Sequence, residues 1–157
     1  MSRIASRVRG FGHTRWFARV GRAFVPVDRA LGRLTKGRYV AFGLRDLPSM
    51  LITTTGRKSG LPRTNPLLYV PDGDGFAVMG SNWGQDLHPA WAHNLVANPE
   101  AVVTMGGKDI VVRATLAQDA ERERLLALLL AMWPAYATYQ ERANGRDIRV
   151  FRLSRVV

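Results

Sequence analysis

Residues 53–66 read TTTGRKSGLPRTNP. The three threonines close an apolar run over residues 50–55, and β-branched side chains favour a pleated, half-buried backbone. Gly56 and Gly60 bracket Arg57, Lys58 and Ser59, and a second run over residues 64–70 follows Pro62 and Arg63. The pattern predicts a strand, a tight basic turn and a second strand. A turn has no core to fill, so packing does not explain its three cations. Arg57, Lys58 and Arg63 beside the Ser59 hydroxyl have the charge and the donor geometry to hold a phosphate or a carboxylate. A solvated hairpin tip is the plainer reading of the same residues.

Working outward from this hairpin, Pro71-Asp72-Gly73-Asp74-Gly75 is a dense turn signal. Residues 76–80 then read as the third strand of a meander. Residues 102–105 and 110–114 flank Gly106-Gly107, a good hairpin signal. Residues 148–153 read as a final strand, and residues 39–42 as a short strand or a connector. Two helices interrupt the strands. One starts near His88, with Pro89 suited to a first helical turn, and stops at Asn98-Pro99. The other runs from about Asp119 to Trp133, with acids near its positive end and Leu125, Leu126, Leu129, Leu130 and Trp133 on its buried face. About six short strands with peripheral helices make the chain α+β and mainly β, a small barrel or sandwich rather than a parallel sheet. No glycine-rich GxGxxG follows a strand, so a Rossmann nucleotide site is not supported.

Composition narrows the chemistry. The chain has 157 residues, enough for one domain with a real core, and no cysteine. Disulfides, thiolate metal sites and a cysteine nucleophile are excluded. His13, His88 and His93 do not make a convincing metal site, so no metal is expected. Residues 1–46 carry 11 Lys and Arg against 2 Asp and Glu, so they supply +9 of the net +11. Phe17, Val20 and Phe24 fall on a helical stripe among Arg15, Arg19 and Arg22; Pro26 interrupts it, and Val27, Leu31 and Leu34 suggest a second short helix. The organisation expected is a basic amphipathic helical arm over residues 1–38 and a folded domain over residues 39–157. The apolar face of the arm, within residues 1–35, either lies in a membrane interface or packs on the domain or on a second subunit. No recognised docking motif supports a nucleic-acid partner. No run is long enough to span a bilayer, and the start lacks a secretory core, so the default compartment is the cytoplasm, with a peripheral place at the inner face of the membrane if the arm binds lipid.

Three blocks carry a family resemblance. The run MLITTTGRKSGLPRTNPLLY resembles the signature hairpin of the deazaflavin (F420)-dependent nitroreductase and quinone reductase family. GSNWGQDLHPAWAHNLVANP, from Gly80 to Pro99, resembles its next signature, and MWPAYATYQ, from Met132 to Gln140, is similar to its aromatic segment. They occur in the family's order. The resemblance implies a split β-barrel of the flavin-binding type. It implies coenzyme F420, a 5-deazaflavin with a phosphodiester and an oligoglutamate tail, whose reduced form gives up a hydride. It carries cofactor binding onto Arg57, Lys58, Ser59 and Arg63, onto Asn65, Pro66 and Leu67, and onto Gly80, Ser81, Asn82, Trp83 and Gly84. Many members have lysine where Asn82 stands.

No nucleophile, metal set or acid pair stands out, and a cofactor can supply the chemistry such a chain lacks. Trp133, Tyr136 and Tyr139 recur every three residues, so a helical backbone puts them on one wall. A planar acceptor such as a quinone would stack on that wall, and a phenol could hydrogen-bond its carbonyl. By resemblance Tyr136 orients or protonates the acceptor, with Tyr139 and Trp133 beside it; a purely structural lid is the competing reading. The function expected is hydride transfer from reduced F420 to an organic acceptor, a quinone above all, with nitroaromatic reduction as a side activity. An FMN or haem-degrading enzyme on the same barrel and a non-catalytic carrier of the deazaflavin or of a fatty acid are the alternatives. A homodimer is compatible with the sequence.

Overall fold

The fold is set by where two neighbouring strands end up. In the computed structural model, which describes residues 13–36 and 47–157, the elements run α1 (Arg15–Leu34), β1 (Ser49–Thr55), β2 (Pro62–Leu68), β3 (Val70–Asp72), β4 (Gly75–Met79), a 3-10 turn (Asn82–Gly84), α2 (Ala90–Ala97), β5 (Glu100–Met105), β6 (Lys108–Leu116), α3 (Asp119–Met132), α4 (Ala135–Arg142) and β7 (Val150–Arg155). All seven strands form one antiparallel sheet in the order β2-β1-β5-β6-β7-β4-β3. Only Tyr69 separates β2 from β3, yet the two lie on opposite edges. One residue can join opposite edges only if the sheet curls until they meet, and the result is a split β-barrel. The Tyr69 N–H donates to Pro48 O at 3.0 Å, which carries the β1–β2 ladder up to the seam.

This seam corrects the expected strand count. The run over residues 64–70 is two strands rather than one, and the sheet has seven strands where about six were expected. β2 pairs with β1, with Leu51 opposite Pro66 and Ile52 opposite Asn65. β3 pairs with β4 instead. An apolar run reads the same on either side of such a seam, so hydropathy alone could not place it. Pro62, Pro66 and Pro71 all fall on the edge strands β2 and β3, where a missing ladder donor costs least.

The core has two parts, one on each face of the sheet. Met50, Ile52, Phe76, Val78, Val103, Val112, Phe151 and Leu153 fill the barrel, closed by Trp91 and Leu95 of α2. Ala77, Met79 and Val150 face the other way, against Leu125, Leu129, Trp133, Tyr136 and Tyr139 of α3, α4 and their junction. β4 is therefore buried on both faces, which is why Phe76 to Met79 is a continuous apolar run. Each fully buried leucine here contributes about 1.5–3 kcal/mol. Asp72 ties β3 to the rest, accepting from Arg124 at 2.6 and 3.1 Å and from Arg152 Nε at 3.0 Å.

The amino-terminal helix also departs from expectation. α1 runs unbroken through Pro26. Proline removes one backbone donor from a helix, but the halves on either side are held by the same buried face: Ala18, Gly21, Asp28 and Gly32. Thr14 caps the start, its side chain accepting from the Phe17 N–H at 3.1 Å. The large apolar residues mostly point away from the barrel. Trp16 is 70% exposed and Leu34 84%, and Phe24, Val27 and Leu31 are exposed on the same side of the helix. The short strand or connector at residues 39–42 and the boundary at residue 38 lie outside the described residues.

Candidate functional site

A cleft of about 860 Å³ opens between α1, β2, the segment from Ser81 to Trp91 and the aromatic residues from Trp133 to Tyr139. Its volume is that of a site for a sizeable organic molecule. One wall is the edge strand β2, through Asn65, Pro66, Leu67 and Leu68. An edge strand keeps one side of its backbone out of the ladder, so its polar groups are available to a ligand. Asn65 Oδ1 accepts from Arg29 Nη2 of α1 at 2.9 Å, which fastens the helix over this wall.

The second wall is a left-handed turn. Asn82, Trp83 and Gly84 have φ of 47°, 57° and 75° in succession. Glycine and asparagine tolerate this region; for a tryptophan it costs about 1–2 kcal/mol. Three contacts hold the turn. Asn82 Nδ2 donates to Leu87 O at 2.8 Å. The Trp83 ring is wedged between Tyr139, 6.2 Å away between centroids, and Phe17 at 6.4 Å. The Arg146 guanidinium donates to Gly80 O at 3.1 Å, Ser81 O at 2.8 Å and Gln85 O at 3.0 Å. So the Asn82 side chain closes the loop on itself. Gln85 lies exposed, its Nε2 donating to Asn82 O at 3.3 Å.

The third wall is aromatic. Trp133, Tyr136 and Tyr139 all border the cleft, as their spacing predicts, because α4 continues directly from the Pro134 turn. Tyr136 and Tyr139 meet edge-to-face at 6.2 Å, and Trp133 lies 6.0 Å from Phe17. Burial pushes the Tyr136 phenol far above its ordinary range, and the neighbouring Tyr139 adds to the rise. Burial also raises Tyr139. Both phenols are protonated at neutral pH, as any phenol is, and burial keeps them so to higher pH, with an O–H available to donate.

α1 is the roof. A methyl group on Gly21 would stand 2.3 Å from Trp83 Cη2, so the absence of a side chain there lets the helix sit directly on the indole. Phe17, Arg22, Asp28 and Arg29 of the same helix also border the cleft. The arm read in the sequence as a membrane or packing element is thus part of the site's enclosure. Its one legible signal was a glycine in a helix interior, where the residue is unfavourable unless close packing requires it.

The basic turn sits apart. Arg57, Lys58, Ser59 and Arg63 are exposed at the tip of the β1–β2 hairpin, while the cleft is bordered by Asn65, Pro66, Leu67, Ser81, Asn82 and Trp83 from the expected binding set. Gly80 and Gly84 stand behind the wall: Gly80 packs on Ala92, and Gly84 on the Tyr139 backbone. The Ser59 hydroxyl accepts from the Leu61 N–H at 3.2 Å within the turn. Asn94, buried in α2, accepts from the Arg57 N–H at 3.1 Å and donates to Thr54 Oγ1 at 3.1 Å. Asn94 and Arg146 are the positioning residues that sequence reasoning missed; neither sits in a pattern that distinguishes it from an ordinary polar residue. Trp91 is 5% exposed and packs on Phe151 at 5.9 Å, a core role. Among the described residues no three His, Cys, Asp or Glu side chains are grouped to hold a metal ion.

The family model that matches this chain, over residues 22–154, is that of the F420H(2)-dependent quinone reductases. An F420H(2)-dependent quinone reductase of Mycobacterium tuberculosis (strain ATCC 25618 / H37Rv) is 36% identical over 146 residues, covering 90% of this chain and 97% of that protein. A solved structure described as an F420-H2 dependent reductase (FDR-A) is 37% identical with a TM-score of 0.63, covering 68% of this chain and 94% of that one. Another, described as a domain-swapped dimer, is 33% identical with a TM-score of 0.64, covering 82% of this chain and 96% of that one.

Proposed function

Because the chain belongs to the F420H(2)-dependent quinone reductase family, we infer that it is an oxidoreductase that uses reduced coenzyme F420 to reduce a quinone. The cofactor supplies the hydride; the protein binds, orients, excludes water and places a proton donor. What carries the reading within the site is one convergence. Three blocks far apart in sequence, residues 65–67, 81–83 and 133–139, border a single cleft.

The donor set of that cleft fits the group. The unladdered side of β2 at Pro66, flanked by Asn65 and Leu67, suits the polar edge of the deazaflavin ring. The left-handed turn at Ser81, Asn82, Trp83 and Gly84 closes against it. The exposed cations Arg57, Lys58 and Arg63, with Ser59, take the anionic tail. The acceptor stacks on Trp133 and Tyr139, and Tyr136, a neutral phenol, donates to the carbonyl oxygen on which negative charge develops. Nitroaromatic reduction is a side activity of the same cleft.

The test is a side-by-side fluorescence titration with F420, FMN and NADPH, followed by oxidation of the reduced deazaflavin by menadione. F420 alone should bind, and the quinone should restore its oxidised spectrum. Preferential binding of FMN would overturn the assignment in favour of a flavoenzyme on the same barrel. Tight deazaflavin binding without turnover of any quinone would leave a carrier.

Two features concern assembly. A relative solved as a domain-swapped dimer supports a homodimer. The outward stripe of α1, with Trp16, Phe24, Val27, Leu31 and Leu34 exposed beside Arg15, Arg19 and Arg33, has the composition of an interfacial helix. No helix among the described residues is long and apolar enough to cross a membrane, so the contact we propose is peripheral, from the cytoplasmic side, where a lipophilic quinone is within reach of the roof. Residues 1–38 then form a lipid-facing arm on the domain of residues 39–157. Replacing Trp16 and Leu34 together by serine should reduce co-sedimentation with anionic liposomes; undiminished co-sedimentation removes this part of the proposal.

A further inference from the structure

The expected tail-binding cations do not border the cleft, so something must bridge the gap. The cleft ends at His88, Pro89 and Ala90, and α2 runs from there towards the basic turn, where Asn94 holds the Arg57 N–H. On this stretch the structure assembles a cluster that no sequence motif marks. The His88 and His93 rings meet edge-to-face at 5.5 Å. Arg146 Nη1 lies 3.0 Å from His88 Nδ1, and Arg149 Nη1 lies 3.2 Å from His93 Nδ1.

A guanidinium can only donate, so both imidazoles accept at Nδ1 and carry their proton on Nε2. Each is then a neutral ring with its remaining donor turned away from the arginine. Among the described residues no carboxylate forms an ion pair with Arg57, Arg146 or Arg149. The cations in this patch repel one another, offset in part by the charges of Asp86 towards Arg146 and Asp147 towards His88. Burial lowers the Arg146 pKa and the nearby Arg149 lowers it further; burial, Arg149 and then Arg57 lower that of His93. Arg146 is occupied by loop carbonyls, but Arg149, with no carboxylate ion pair among the described residues and beside a neutral histidine donor, forms a site that gains stability when an anion enters.

We propose that His93 and Arg149 form the middle of an anion track that leads the phosphodiester and glutamate tail of the cofactor from the cleft at His88 to the basic turn at Arg57. The inference rests on the F420 reading above and extends it to residues outside both the cleft and the hairpin. Arg149 supplies fixed charge, and His93 supplies an Nε2–H donor; an anion beside it favours protonation at Nδ1 as well, which releases Arg149 Nη1 to the same anion. Asn94 keeps the two ends of the track in register.

The discriminating experiment compares F420 with its tail-free deazaflavin riboside on the wild type, Arg149→Gln and His93→Gln. The expected result is about tenfold weaker F420 binding in each variant, the loss of one charge-assisted hydrogen bond, with riboside affinity unchanged. Equal F420 affinity in all three proteins overturns the track. If the wild type binds neither molecule, the cofactor reading itself fails and takes the track with it. Should a variant not fold, wild-type NMR decides: saturating F420 should move the His93 imidazole resonance and raise its pKa, while the riboside should not. An unmoved His93 resonance with F420 bound also overturns the proposal.

Discussion

Tyr136 concentrates the chemistry of the site at the residue scale. Its phenol is buried and held protonated, and it borders the cleft between Trp133 and Tyr139. Hydride arrival at a quinone leaves charge on a carbonyl oxygen, and a neutral donor placed there lowers the barrier without first being reprotonated. Tyr136→Phe should therefore lower kcat with menadione by about 10²-fold, the usual effect of deleting one such donor. F420 affinity, read by fluorescence titration, should not change. Unchanged turnover would make the aromatic wall a structural lid. The sequence made this wall legible because a three-residue recurrence beside a proline leaves few other geometries. It did not make Arg146 legible, because that role depends on carbonyls 61 to 66 residues away in a loop whose path no local pattern encodes.

At the scale of elements, the decisive contact is α1 on the left-handed turn. Gly21 lies over the Trp83 ring, and the same ring touches Phe17 and Tyr139. A side chain at position 21 must displace either the helix or the indole, and the indole is wedged. Gly21→Ala should improve intrinsic helix propensity by up to about 1 kcal/mol, yet overpacking at such a contact costs about 1–3 kcal/mol. The net expectation is a lower melting midpoint by roughly 2–6 °C and a changed Trp fluorescence spectrum. An unchanged midpoint and spectrum would mean that α1 does not rest on Trp83 in solution. The basic hairpin, the Gly106-Gly107 hairpin and the helix ending at Pro134 could all be read from turn and cap chemistry, which is local. The split at Tyr69 and the unbroken passage through Pro26 could not, because each is decided by a partner surface distant in sequence.

For the whole molecule, the charge arrangement sets the response to pH. Burial, then Arg149 and Arg146, lower the His88 pKa below the ordinary 6.5; burial, Arg149 and Arg57 do the same to His93. Above pH 6.5 both states hold neutral imidazoles and the histidines do not penalise the fold. As pH falls through 6.5 the unfolded chain takes up protons that the folded chain resists, so stability declines until the depressed folded values are reached. Asp72 acts in the opposite sense at lower pH: Arg124 holds its carboxyl below the ordinary 3.8, so its contribution is intact above that value and disappears as pH falls further. Thermal melts should therefore show one loss beginning near pH 6.5 and a second below pH 4. The double change His88→Gln and His93→Gln, which keeps an acceptor for each arginine, should flatten the first and leave the second. A bound polyanion should also flatten the first, because it makes the imidazolium form welcome beside Arg149. A melting curve independent of pH between 7 and 5 would show that the cationic patch is not the strained feature from which the anion track is argued.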